Sequence, residues 1–364
     1  MRVAIVHDWL VSYRGGEKVL DCISRLFPSA PIYTLFYDPQ SLPAHFQKKD
    51  IRFPKFLNRF RRLRKLLLPI LPSVVESIDL KDYDLVLSTS SCVVKGVIPG
   101  GKAKHICYIH SPMRYIWDQR KEYLGSWMRV PLVSKVIRCL ILRLRAWDIL
   151  SSRRVDYFIA NSSFVQNRVR KYYKRESELI YPPVDIAAFR SRCGTVGKGG
   201  NYFLVAGAFV AYKRFDLAID ACNRLKVNLV VAGAGPKEAA LRKIAGPTVQ
   251  FMIRPADEKL RDLMAGAKAF LFPGVEDFGI IAVEAMAAGT PVIAFEKGGA
   301  CDFIVPGQNG IFFKKQKAES LMAALQSFST ASFDPKGVSR TVEKFSEARF
   351  MDQFRDLVTR TVGV

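Results

Sequence analysis

Short runs of β-branched and aliphatic residues alternate along this chain with longer stretches of helical periodicity. This alternation is typical of an α/β fold built on parallel sheets. The runs fall into two series, which predict two sheets. The first series is Val3–Val6, Ile32–Phe36, Leu85–Ser88, His105–Ile109 and Tyr157–Ala160, and the second is Tyr202–Ala206, Leu229–Ala232, Val249–Met252, Ala269–Phe272 and Pro291–Ala294.

The length of the chain also favours two domains. At 364 residues it exceeds the size at which one hydrophobic core usually keeps growing. A stretch that opens with prolines and closes with glycines, Tyr181–Gly200, separates the two series of strands. We therefore predict Rossmann-like domains at 1–185 and 200–345, joined by a linker at 186–199, with a final helix at Phe345–Thr361.

The cysteine pattern and the N-terminus both indicate an intracellular protein. The seven cysteines are scattered without a C-x-x-C pair, which favours reduced thiols. A strand begins almost at the first residue, where a signal peptide needs a longer apolar region. No apolar run approaches the length of a membrane-spanning helix. We predict a cytoplasmic protein that does not cross the membrane.

The net charge departs most from an ordinary composition. Lys and Arg total 56 against 33 Asp and Glu, a formal charge of +23, which indicates a polyanionic partner. Two basic stretches carry apolar residues at helical spacing, Lys48–Lys65 and Arg129–Trp147. Each fits either a solvated helix whose apolar side packs in the core or a surface that binds an anionic membrane. The sequence leaves both interpretations open.

Candidate site residues follow the predicted strands, and ligands of such folds bind at the carboxyl ends of strands. Gly15 and Gly16 lie in the turn after the first strand, where a helix N-terminus accepts a close, negatively charged ligand. His110 follows Ile109 directly. This placement favours a functional histidine over a core histidine.

The second series of strands carries a cationic candidate. Lys213 and Arg214 come shortly after Gly207, and two fixed cations there are suited to a diphosphate. The nearby VAGAGP stretch resembles a dinucleotide fingerprint, but Glu238 stands where the third glycine is required. We interpret that stretch as a turn.

The most informative segment is Val275–Thr290. Glu276 precedes a Phe278-Gly279 turn, and Glu284 lies inside the apolar helix that this turn begins. The turn offers free N–H groups to a phosphate, and the helix dipole favours the negative charge. A carboxylate within an apolar helix needs a polar partner, such as ribose hydroxyls.

The spacing of Glu276 and Glu284 within EDFGIIAVEAMAAGTPVIA resembles the E-x7-E element of the retaining glycosyltransferases of family 4. HDWL followed by RGGEKVL, together with IHSPMRYIWD and YKRFDLAID, is similar to bacterial mannosyltransferases of O-antigen and exopolysaccharide synthesis. The resemblance implies the GT-B fold, with two Rossmann-like domains facing a central cleft. It also implies that the C-terminal helix, 346–364, crosses back onto the first domain.

The resemblance also implies roles for individual residues. His110 and Glu276 are expected to face the donor sugar as catalytic residues. The expected donor-binding residues are Gly16, Lys213, Arg214, Arg254, Phe278, Gly279, Ile280 and Glu284. On the acceptor side we expect Gly15 and Arg14. Ala208 stands where many relatives have an arginine, and Arg214 is the candidate replacement.

The expected activity is transfer of a hexose, α-mannose from GDP-mannose, to a lipid-linked saccharide, without a metal or other cofactor. The expected partners are the donor, the acceptor and an anionic membrane surface on the cytoplasmic side, but not nucleic acid. Two alternatives remain open. One is an epimerase or phosphorylase that acts on a nucleotide sugar with the same fold, and the other is a non-catalytic protein that binds polyanions.

Overall fold

The computed structural model describes residues 1–64, 66–118, 131–193, 200–328 and 333–363. The chain divides into two compact units. Unit 1 consists of Met1–Pro183 and Phe350–Val364, and unit 2 of Val184–Arg349. Each is an α/β structure around one parallel sheet, as the alternating pattern predicted.

Unit 1 contains a seven-stranded sheet in the order β3-β2-β1-β4-β5-β6-β7, and every pair in it is parallel. Its strands are β1 Val3–His7, β2 Ile32–Thr34, β3 Ile51–Arg52, β4 Leu85–Ser90, β5 Lys104–Ile109, β6 Tyr157–Ala160 and β7 Glu178–Leu179. The residues of the central strands β1, β4 and β5 are almost all buried because helices cover both faces of a parallel sheet.

The α-helices of unit 1 connect these strands and close its core. They are Gly15–Leu26, Lys55–Asn58, Leu71–Glu76, Pro131–Ser152, Ser163–Tyr173 and, from Phe350 onward, Glu347–Val362. This last helix agrees with the predicted return of the chain to the first domain. Phe350 and Phe354 are buried in the same core cluster as Tyr108, whose ring centroid lies 5.8 Å from that of Phe350.

Unit 2 contains a six-stranded sheet in the order β10-β9-β8-β11-β12-β13, again parallel throughout. Its strands are β8 Phe203–Ala208, β9 Leu229–Ala234, β10 Val249–Ile253, β11 Phe270–Phe272, β12 Val292–Phe295 and β13 Gly310–Phe313. Its α-helices are Ile186–Arg190, Phe215–Leu225, Glu238–Ile244, Asp257–Gly266, Ile280–Ala287, Ala300–Phe303, Ala318–Phe328 and Pro335–Arg340.

Three short edge strands were not predicted from the sequence. β3 and β7 have two residues each, which is too short for a clear alternating pattern, and the four-residue strand β13 was also not predicted. The strand predicted to end at Phe36 ends at Thr34, although Leu35 and Phe36 remain fully buried. Burial there reflects packing of a connecting loop rather than pairing in the sheet.

The predicted linker and the predicted basic stretches have a more divided structure than the sequence suggested. Of the predicted linker, Ile186–Arg190 is a helix capped by the Asp185 carboxylate, and 194–199 lie outside the described residues. The first basic stretch is not one helix, because Lys55–Asn58 is followed by a separate 3-10 turn at Arg61–Leu63. Residues 129 and 130 of the second stretch are outside the described residues. Within the described residues, no helix is both long and apolar enough to cross a bilayer.

Candidate active site

The strand order of unit 2 reverses between β8 and β11, which are neighbours in the sheet. Such a reversal separates the loops that follow the two strands and leaves a crevice where ligands of α/β proteins bind. The loop after β8 carries Lys213, and the loop after β11 carries Glu276. Lys213 and Glu276, which were predicted from separate motifs, therefore both lie at the crevice between β8 and β11.

Lys213 and Glu276 are joined by an ion pair. Lys213 Nζ lies 2.7 Å from Glu276 Oε1, and both side chains are largely buried. Gly207 permits this arrangement, because its φ of +129° suits glycine and a Cβ there would lie 3.0 Å from Lys213 Nζ. The ammonium is thus fixed under the end of β8 with a carboxylate as its present partner.

Arg214 adopts a left-handed conformation, φ 53°, immediately before the helix Phe215–Leu225. Its guanidinium forms an ion pair with Asp216, Nη2 to Oδ2 at 2.9 Å, and is one third exposed. Lys213 and Arg214 are therefore paired with different carboxylates. The proposed replacement of the arginine absent at position 208 stays a prediction.

A glycine turn starts the helix Ile280–Ala287 after β11. Gly279 has a φ of +108°, and a Cβ there would lie 2.6 Å from the Phe272 ring, so the turn requires glycine. Ala282 N donates to Gly279 O, the first bond at this end of the helix. The N–H groups of Gly279 and Ile280 precede that bond and are oriented as helix N-termini present them to anions.

Glu284 lies within this helix and is buried. Phe278, beside the turn, is also buried and packs its ring against Phe303 and Phe345. These ring contacts hold the turn, and the donor-binding role of Phe278 stays a prediction.

The loop that follows β12 packs directly onto the Glu276 segment. Gly299 N donates to Glu276 O over 2.9 Å, and a Cβ at Gly299 would lie 2.3 Å from Phe278 Cα. Gly298 has a φ of +82°, and a Cβ there would lie 2.5 Å from Glu276 O. These contacts explain the glycines at 298 and 299 and fix the backbone that carries Glu276.

Arg254 follows β10 with an exposed side chain and a φ of 48°, and its N–H donates to Gly233 O over 3.1 Å. Gly233 and Gly235, in the VAGAGP stretch, pack against the backbone of Gly207 and Phe209. A Cβ at Gly233 would lie 1.9 Å from Gly207 O. Tight packing of neighbouring strand ends therefore accounts for these glycines.

The candidates of unit 1 also lie at the carboxyl ends of strands. The helix Gly15–Leu26 begins where predicted, with Arg14 as its N-cap residue. A Cβ at Gly16 would lie 3.6 Å from His110 Nε2, so the imidazole faces the first turn of this helix. The backbone of His110 is held from both sides, by Ser90 O and by the Asn161 side-chain amide.

Several residues that support this arrangement were not found from the sequence. The Glu17 carboxylate accepts hydrogen bonds from Arg14 N at 3.0 Å and from Ser12 Oγ at 3.2 Å, and burial raises its pKa. The RGGE spelling supplies only the second bond of a capping box, from Arg14 N to the Glu17 carboxylate, because arginine stands where a serine or threonine usually accepts the first.

The loop after His110 is fixed by a buried arginine that sequence reasoning did not single out. Arg168 donates to Ser111 Oγ over 2.7 Å and also pairs with Asp118. Asp8, after β1, accepts hydrogen bonds from the N–H groups of Ser91, Cys92, Val93 and Val94. Arg168 stands in none of the quoted motifs, and Asp8, although part of HDWL, binds backbone groups 83 to 86 positions along the chain.

In the described part of the chain, no three His, Cys, Asp or Glu side chains gather closely enough to hold a metal ion. The Asp82-Tyr83-Asp84 sequence places Asp82 in an exposed ion pair with Arg2. Asp84 caps the Arg2 amide at the start of β1. Both aspartates have structural partners.

Profile comparisons match almost the whole chain. Residues 14–188 match the profile of Glycosyltransferase Family 4, and residues 194–344 match that of Glycosyl transferases group 1. Human alpha-1,3/1,6-mannosyltransferase ALG2 is 24% identical over 95% of this chain and 93% of its own length.

The O-antigen chain mannosyltransferase C of Escherichia coli is 27% identical over 44% of this chain. That match, like several others to curated relatives, spans about half of the relative's length. HepE from Anabaena, solved in complex with UDP, superposes with a TM-score of 0.73 at 16% identity and covers 99% of this chain and 100% of its own. The chain is a family 4 glycosyltransferase with the GT-B fold.

Proposed function

We propose that this glycosyltransferase moves α-mannose from GDP-mannose to a lipid-linked saccharide in surface polysaccharide synthesis, with retention of the anomeric configuration. The observation that carries the proposal is the Lys213–Glu276 pair at the switch point of the unit 2 sheet, next to the Gly279 turn. The mannosyltransferase names of the human and E. coli relatives support the choice of sugar.

The geometry suggests how the donor binds. The diphosphate replaces Glu276 as the partner of Lys213, and the N–H groups of Gly279 and Ile280 donate to the same phosphates. Released from the ammonium, the Glu276 carboxylate accepts hydrogen bonds from hydroxyls of the donor sugar. Glu284 holds the ribose and Arg254 the nucleotide. The leaving diphosphate is stabilised by charge that is already in place.

Unit 1 supplies the groups assigned to the sugar and the acceptor. His110 is assigned to the donor sugar, and Gly16, Gly15 and Arg14 to the phosphates and the incoming acceptor. The rigid backbone of His110, held by Ser90 and Asn161, suits a group that has to act in one orientation.

We further propose that transfer needs no divalent metal, because Lys213 and the helix terminus offset the diphosphate charge. We also propose that the protein works at the inner face of the cytoplasmic membrane, where its basic charge meets anionic lipid. Neither proposal requires nucleic acid.

The direct test is incubation of the purified protein with labelled GDP-mannose, bacterial lipid extract and excess EDTA. The proposal predicts label in the organic phase that α-mannosidase releases, and release of GDP in equal amount. A mannose epimer formed without acceptor would instead identify an epimerase. If the label stays in intact GDP-mannose under all conditions, and other nucleotide sugars do not react either, the non-catalytic binding of polyanions would be the remaining function.

A further inference from the structure

The basic segment Lys55–Ile70 in unit 1 exposes five of its large apolar side chains to solvent. Phe56 is 74% exposed, Leu63 53% and Leu66 69%, and Phe60 and Ile70 are also exposed. Monomeric proteins expose single apolar residues commonly but rarely expose several within one short segment. We call Phe56, Phe60, Leu63, Leu66 and Ile70 the apolar ridge.

The sequence spacing permitted a helix that buries these residues, and the structure shows the opposite arrangement. Pro54 starts a helix of four residues, and a 3-10 turn follows it at Arg61–Leu63. Of the first helix only Leu57 is buried. The rings of Phe56 and Phe60 pack on each other, with centroids 5.7 Å apart. The ridge therefore faces outward.

Cations surround the ridge. Lys55, Arg59 and Arg62 are exposed, and the sequence has no acidic residue between Lys55 and Ile70. Within the described part of the chain, none of these three forms an ion pair; the nearby Arg61 pairs weakly with Asp38, 3.8 Å away. Several positive charges are thus available to an external partner.

The ridge is anchored rather than loose. Leu57, Leu71 and Val75 are buried in one core cluster that also contains Ile141 and Leu144 of the helix Pro131–Ser152. That helix exposes Val136 and Leu142, the latter 64% exposed. Its exposed Arg138 and Arg143 lie beside them in the sequence. A second element with the same character therefore packs on the same core.

We propose that the apolar ridge inserts into the headgroup region of an anionic bilayer and that Lys55, Arg59 and Arg62 bind the surrounding lipid phosphates. A bilayer interface offers hydrocarbon and negative charge side by side, and aromatic rings concentrate there. Single-stranded nucleic acid is less suited, because Leu63, Leu66 and Ile70 have no ring on which a base can stack. The choice of lipid rests on the proposed lipid-linked acceptor.

Vesicle flotation tests this inference. Full-length protein is mixed with phosphatidylglycerol or phosphatidylcholine vesicles at low and high salt. Wild type is expected to float with phosphatidylglycerol and to float less with phosphatidylcholine. The charge variant Arg59→Gln/Arg62→Gln should bind phosphatidylglycerol at least tenfold more weakly, since each cation near such a surface contributes about fivefold. The ridge variant Phe56→Ser/Phe60→Ser should lose at least tenfold at both salt concentrations.

Matched controls come from unit 2, where Ile244 and Val305 are exposed to a similar degree as Phe60. The control Ile244→Ser/Val305→Ser removes two exposed apolar side chains, and the control Lys243→Gln/Lys259→Gln removes two exposed cations. Both controls should bind vesicles as wild type does. A tryptophan at position 56, Phe56→Trp, adds emission that lipids with brominated acyl chains should quench. Quenching of that added emission distinguishes insertion from electrostatic adsorption.

Three results would overturn the inference. They are failure of wild type to float, equal binding by the ridge variant and wild type, and loss of binding to single-stranded RNA rather than vesicles in the ridge variant. Nucleotide binding is measured in parallel. If the ridge variant loses vesicles but keeps wild-type GDP binding, the inference and the proposed function both stand. If wild type floats but binds no nucleotide, only the proposed function fails.

Discussion

Lys213 Nζ and Glu276 Oε1 lie 2.7 Å apart at the point where the strand order of the unit 2 sheet reverses. The two residues come from different loops and are largely buried, so the structure commits an ammonium and a carboxylate to one location. A partly buried pair of this kind costs desolvation and is not in itself a strong source of stability. Its position at a reversal of strand order is where α/β proteins bind ligands.

The first prediction concerns the charge of Lys213. Lys213→Met keeps the length of the side chain but removes the cation that we propose as the partner of the diphosphate. We expect kcat/KM to fall by about 10²- to 10³-fold, the range seen when one preorganised charge stabiliser is lost. Steady-state GDP release measures this. Lys243→Met, on an exposed helix position, should leave kcat/KM within twofold of wild type, and a similar loss there would contradict the assignment.

The second prediction tests whether Arg214 replaces the arginine absent at position 208. Arg214 lies next to Lys213 but pairs with Asp216. If it exchanges that carboxylate for a donor phosphate, Arg214→Ala should lower turnover at least tenfold, whereas Arg214→Lys should recover part of the loss. A reduction of less than tenfold in Arg214→Ala would show that Arg214 serves only its own ion pair.

The third prediction concerns the space between Gly16 and His110. A methyl group at Gly16 would lie 3.6 Å from His110 Nε2, an ordinary van der Waals distance. Gly16→Ala should therefore fold with unchanged or slightly higher stability, since alanine favours a helix by up to about 1 kcal/mol. The methyl group should nevertheless obstruct the acceptor and lower kcat/KM about tenfold or more. Thermal unfolding and transfer rates separate the two effects, and full activity would contradict a close ligand at Gly16.

The fourth prediction is a loss of stability in mild acid. Burial lowers the pKa of His105 to about 4, and of His7 likewise, from the ordinary 6.5. At pH values between about 4 and 6.5, each of these histidines takes up a proton in the unfolded chain but stays neutral in the folded chain. Unfolding free energy should therefore be fully retained above pH 7 and fall as the pH drops from about 6.5 towards 4, by at most roughly 3 kcal/mol per histidine.

Urea unfolding at pH 7.5 and pH 5.0 measures this effect. His105 Nδ1 donates to Arg154 O, so its Nε2 accepts from Ser88 Oγ, a neutral arrangement that glutamine can partly imitate. His105→Gln should lose less stability between the two pH values than wild type. The raised pKa of Glu17 acts in the opposite direction in both proteins. The effect of His105 is therefore the difference between the acid-induced loss of stability in wild type and that in His105→Gln. An equal acid sensitivity in both proteins would show that His105 does not cause it.

The sequence predicted most of the fold because strong local patterns coincide with it. The strands β1, β4, β5, β8, β9, β11 and β12 are largely buried, and glycines mark the turns after several of them. The edge strands β3 and β7 were missed because two residues of pairing carry no period. The division between Pro183 and Val184 depends on contacts between distant segments, which no local pattern reports.

The candidate site was predictable to the extent that its residues stand in motifs. Glu276, Glu284 and Gly279 share one segment, and Lys213 follows a strand, so the sequence identified them. The Lys213–Glu276 contact joins residues 63 positions apart and required the structure. The outward direction of Phe56 and Phe60 was likewise undecidable from spacing, because an inward and an outward face share the same period.

The most direct test of the account is a thermal-shift panel of the purified wild type and Lys213→Met against GDP, UDP, ADP and GDP-mannose. A ligand at a hundred times its dissociation constant adds about 2.7 kcal/mol of stability, which is readily measured as a rise in Tm. The account predicts a rise for wild type that is selective for GDP and GDP-mannose and is reduced in Lys213→Met. A selective rise with UDP would contradict the mannosyl assignment, and no rise with any nucleotide would contradict the donor site itself.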